Sequence, residues 1–118
     1  MKKIQILNKS KKVVGLYDRE DKTYYRLVSK KQQFVHPKYS GMLAVSQDIL
    51  QRLAKLGCEK FCFTLTEWED KPFDAIITFK DFLLHREELF FMGKRNSDKQ
   101  FGVRLNFWTR MYRGQEKL

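Results

Sequence analysis

A chain of 118 residues with 42% apolar and 14% aromatic side chains can bury about two thirds of the surface its unfolded form exposes, which excludes intrinsic disorder and fits one compact domain over 1–118. Its two cysteines exclude a disulfide-stapled secreted scaffold, and the lack of a signal-peptide core or of any window near the roughly 18 apolar residues of a bilayer span points to a cytoplasmic protein with no membrane partner. The net charge of +10 points to a polyanion.

Ile4 and Ile6 are β-prone, Asn8 to Lys12 is polar enough to turn, and Val13 to Leu16 is β-prone again, so the chain opens on a hairpin. After a turn over Asp18 to Lys22, Thr23 to Ser29 reads as a strand rich in aromatic and β-branched residues. A shorter extended piece near 33–36 ends at Pro37, which disfavours helix in the residue before it, and 37–41 reads as a loop. Ser46 suits an N-cap, Ile49, Leu50, Leu53 and Leu56 follow at helical spacing, and Gly57 supplies a left-handed stop, so a helix is expected over 46–56.

Phe61, Phe63 and Leu65 alternate with polar or small residues as a half-buried strand does, and a polar turn over Glu67 to Pro72 leads into a second strand over 73–79. Thr78 and Asp81 resemble a capping box, which predicts a helix near 79–88. A basic turn then precedes a closing strand over 101–112. The order β-β-β-α-β-β-α-β predicts an α+β fold: a mostly antiparallel sheet with two helices, about 46–56 and 79–88, packed on one face.

The charge is segregated along the chain, with a balance of +8 in residues 1–40, −3 in 41–93 and +5 in 94–118. If the basic ends fold side by side they form one cationic face. The closing strand sharpens this expectation, because strict alternation places Val103, Leu105, Phe107, Thr109 and Met111 in the core and Arg104, Asn106, Trp108, Arg110 and Tyr112 on the other side. Bases stack on Trp or Tyr while Arg engages phosphates, so this face is a candidate nucleic-acid-binding surface. The strand at 22–30 repeats the pattern with Lys22, Tyr24, Arg26 and Lys30. Lysines 2, 3, 9, 11 and 12, with Lys31 and Lys38, are further candidate phosphate contacts.

Glu67, Glu69, Asp70, Lys71 and Asp74 form the densest acidic cluster, and Glu69-Asp70-Lys71 has the acid-any-lysine spacing of metal-dependent nucleases. A nuclease places such a triplet on a strand, whereas this one precedes Pro72 in an expected turn. His85 and Glu88 share a face of the expected helix at a spacing a metal site could use but have no third ligand, Cys58 and Cys62 with His36 and His85 lack metal-site spacing, and no glycine-rich phosphate loop occurs. No catalytic residue, metal site or cofactor is therefore expected. The leading expectation is a small basic, non-enzymatic nucleic-acid-binding accessory domain, of a composition that suits a phage or other mobile element, with single strands or the backbone as its target. The alternatives are a protein-interaction or homodimerising module, and a metal-dependent nuclease built on 67–74.

Overall fold

The computed structural model describes residues 2–29, 41–89 and 99–112. In chain order its elements are β1 (Lys3–Leu7), β2 (Val13–Asp18), β3 (Thr23–Ser29), β4 (Met42–Ser46), α1 (Gln47–Leu56), β5 (Lys60–Thr66), β6 (Phe73–Thr78), α2 (Phe79–His85), β7 (Glu87–Leu89), β8 (Gln100–Arg104) and β9 (Thr109–Tyr112). The fold is α+β, as the element order predicts. Six strands pair in the order β1-β2-β3-β5-β6-β9 and three more in the order β4-β8-β7. All neighbours are antiparallel except β3 and β5, a parallel pair that needs a long crossover, part of which α1 supplies.

Local chemistry explains the best-formed elements. Ser46 accepts a hydrogen bond from the Ile49 amide at 3.3 Å, Gly57 ends α1 at φ +84°, and Ile49, Leu50 and Leu53 are buried between those ends. Phe61, Phe63 and Leu65 on β5 and Phe73, Ala75 and Ile77 on β6 face the same way as these helix residues and join Leu43, Val45, Phe82 and Val103 in one core. Both helices and the smaller sheet therefore cover one face of the larger sheet.

Three sequence expectations need correction. Residues 42–46, of which 42–45 carry no expected element and Ser46 is the expected helix start, form β4, whose partner β8 lies more than fifty positions away in the chain. The second helix stops at His85 rather than 88, because Arg86 takes an extended conformation (φ −63°, ψ 145°) and the next residues pair with β8 instead. The closing segment is not one strand. A 3-10 turn over Leu105–Phe107, tied down by the Leu105 amide on the Gly41 carbonyl at 2.8 Å, carries the chain from the small sheet to the edge of the large one. The extended piece expected near 33–36 lies outside the described residues.

Candidate functional site

The aromatic face expected on β3 is turned inward. Tyr24 is fully buried, packed edge-on against Phe61 and Phe63 at centroid distances of 5.9 and 6.3 Å. Arg26 is half-buried on the same side, where its guanidinium donates to the Ala44 carbonyl at 3.2 Å and lies over Phe63. Tyr25 and Leu27 instead take the solvent side, and Leu27 is 67% exposed. The sequence TYYRLVS offers bulky residues to both faces, and a one-residue change of phase exchanges them all. Lys22 stands in the turn before β3, 3.7 Å from Glu59, and Lys30 lies outside the described residues.

Trp108 is likewise a core residue, 5% exposed, with its indole N–H donating to the Val103 carbonyl at 3.2 Å and its ring against Phe63. The 3-10 turn breaks the alternation that grouped it with Arg104 and Asn106, both of which are exposed. On β9, Arg110 and Tyr112 pair with Ala75 and Phe73 at the edge of the core-facing side, while Thr109 and Met111 lie on the opposite face. Of the expected stacking platform, Tyr24 and Trp108 are in the core, and Tyr112 stays beside Arg110, both bonded to Glu69.

The arginines are also engaged. Arg104 pairs with Glu87 at 3.3 Å, and Arg110 pairs with Glu69 at 2.9 Å while lying over Phe73. Glu69 also accepts from the Tyr112 hydroxyl, which raises the pKa of that phenol. The acidic turn thus clasps the last strand. Asp74 accepts from Thr64 at 2.6 Å, and no group of three or more His, Cys, Asp or Glu side chains among the described residues is arranged to hold a metal ion. Burial pushes the Cys58 thiol up to about 11, so it stays protonated at neutral pH and offers no thiolate nucleophile.

Among the described residues, the first and last strands do not meet. β1 and β9 are opposite edges of the large sheet, five strand spacings apart, or about 24 Å at roughly 4.8 Å each. That separation exceeds the screening length of about 8–10 Å at physiological salt, so the two do not act as one charged surface. The N-terminal charge is nevertheless concentrated. Lys9, Lys11 and Lys12 crowd the exposed β1–β2 turn, closed by the Asn8 side chain accepting from the Lys12 amide at 3.0 Å. The hairpin is seated on α1 by Arg52, which reaches the Leu7 carbonyl and Asp48, and by the Tyr17 hydroxyl on the Leu56 carbonyl at 3.3 Å.

A second feature escaped the sequence reading. On the side of α1 away from the hairpin, a cavity of about 220 Å³ opens between α1 and α2, walled by Leu50, Ala54, Phe79, Leu83 and Phe101. Its only sequence signal was the pair Leu83-Leu84 on a short amphipathic helix, since the groove is made by tertiary packing. Among the described residues, no helix is long and apolar enough to cross a membrane. No family model, curated protein or solved structure matches the chain.

Proposed function

We propose that the protein is a small non-enzymatic nucleic-acid-binding domain that meets the phosphate backbone with the lysines of its β1–β2 hairpin. The observation that supports this reading is the distribution of counter-charges. Lys2, Lys22, Arg52, Lys99, Arg104 and Arg110 each have a carboxylate within ion-pair distance, and Lys55, Lys60, Lys71 and Lys80, which have none among the described residues, stand singly along the chain, whereas Lys9, Lys11 and Lys12 have none and crowd one turn. Ammonium groups clustered at a turn and free of protein carboxylates exchange solvent counterions for phosphates, the source of backbone affinity. With Tyr24 and Trp108 in the core and the Tyr112 hydroxyl bonded to Glu69, the hairpin lysines rather than a stacking face carry this reading. The reading therefore concerns backbone contact without sequence selection, on single strands and duplex alike.

Fluorescence anisotropy with a short labelled oligonucleotide at low salt tests it. Replacing Lys9, Lys11 and Lys12 together by Gln should weaken binding by about tenfold or more, while Arg104→Gln, which removes a cation already paired with Glu87, should change it little. Equal affinities of the triple variant and the parent would refute the reading.

A further inference from the structure

We propose that the groove between α1 and α2 docks an acidic amphipathic segment of another protein, seating an apolar side chain between the helices and a carboxylate on Arg86. The cavity, about 220 Å³, is smaller than the roughly 300–1,000 Å³ typical of small-molecule and cofactor sites. It suits side chains inserted from a partner. Leu83, which forms part of its apolar wall, is itself 38% exposed on α2, so the slot is open to an apolar side chain presented from outside.

Three polar side chains, Gln47, Gln51 and Arg86, rim the opening. Gln47 and Gln51 are one turn apart on α1, where they can hydrogen-bond a passing backbone. Arg86 sets the charge of the partner. Its guanidinium donates to the Leu83 carbonyl at 2.6 Å and lies 5.5 Å from the centroid of Phe101, so it is held in place from two sides. It makes no ion pair among the described residues, because its neighbours Glu87 and Glu88 are taken by Arg104 and Lys99. A fixed guanidinium with N–H donors to spare, beside an apolar slot, complements a carboxylate adjacent to a bulky apolar anchor. Nucleic acid fits poorly, since the walls offer no contact to successive phosphates. A second copy of this chain fits poorly too: its acidic turn could present only Trp68, which packs against its own core, beside a Glu69 already held by Arg110.

The test uses the full chain and two labelled helical peptides that share leucines at i, i+3 and i+4 spacing, one carrying glutamates between them and the other lysines. Anisotropy should report binding of the glutamate peptide and not of the lysine peptide. Arg86→Glu and, separately, Leu83→Lys, both at exposed positions, should each weaken it by about tenfold or more. The Lys9, Lys11 and Lys12 to Gln variant should bind it as the parent does, which separates this site from the nucleic-acid reading. The inference is overturned if the glutamate peptide does not bind, if Arg86→Glu and Leu83→Lys leave its affinity unchanged, or if its binding follows the hairpin lysines.

Discussion

The hydroxyl of Tyr24 is buried and has no hydrogen-bond partner among the described residues, which costs about 1–3 kcal/mol. Tyr24→Phe removes that cost while keeping the ring contacts with Phe61 and Phe63. Urea denaturation at neutral pH should show a variant at least as stable as the parent, and a clear loss would mean that the hydroxyl is bonded. The same burial raises the phenol from 10.0 to about 12. A group that must stay protonated in the fold contributes its stability in full below the unfolded pKa and loses it as pH rises toward the folded one. The parent should therefore weaken between about pH 10 and 12, and thermal melts should show a shallower decline for Tyr24→Phe over that window. Tyr25, raised to about 12 by burial and by its bond to Asp21, contributes a parallel loss that the variant retains. Trp108 gives the opposite result. Trp108→Ala removes a ring packed on Phe63 and Phe82 and leaves the Val103 carbonyl without its donor. It should cost about 3–5 kcal/mol in the same denaturation experiment, and a cost under about 1 kcal/mol would place the indole at the surface.

At the scale of elements, what could be read from the sequence is what is decided locally. The first helix has its start and stop written into Ser46 and Gly57, and β5 and β6 carry alternation with phenylalanine on a single phase. β3 does not, because Tyr24 and Tyr25 compete for the same face and only the partner strands decide between them. Gly15 shows how β2 helps to decide. A Cβ at that position would lie 2.6 Å from Tyr24 Cε1 and 2.6 Å from the Tyr25 carbonyl oxygen, so the strand approaches β3 closely over the ring. Gly15→Ala must move backbone as well as a side chain and should destabilise the chain by about 1–3 kcal/mol, read as a lower urea midpoint; an unchanged midpoint would mean that the hairpin is not seated on β3 this closely. The 3-10 turn at Leu105–Phe107 was invisible for a related reason. Its anchor, the Gly41 carbonyl, is remote in sequence, so nothing in the local run RLNFWTR signals a change of sheet. Alternation through that turn would group Trp108 with Arg104 and Asn106, and the turn instead carries Trp108 into the core while those two stay exposed.

Over the whole molecule the strand order turns a charge pattern along the chain into a charge pattern in space. β1, β3, β5 and β9 run in one direction and β2 and β6 in the other, so the lysine turn between β1 and β2 and the acidic turn between β5 and β6 project from the same end of the large sheet. The lysines sit toward one edge and Glu67, Glu69 and Asp70 toward the other. A polyanion approaching that end is drawn to the hairpin and repelled from the acidic side, which favours a contact confined to few phosphates. The number of phosphates neutralised is readable from salt. Each contributes roughly 0.9 to the slope of log affinity against log salt on duplex DNA, so binding led by Lys9, Lys11 and Lys12 should give a slope of about −3. Replacing the three turn lysines by Gln should flatten it by about 2.7, as three lost phosphate contacts require. A much steeper parent slope that survives the substitutions would move the contact to other cations of this chain, and a slope near zero would remove phosphates from the interaction altogether.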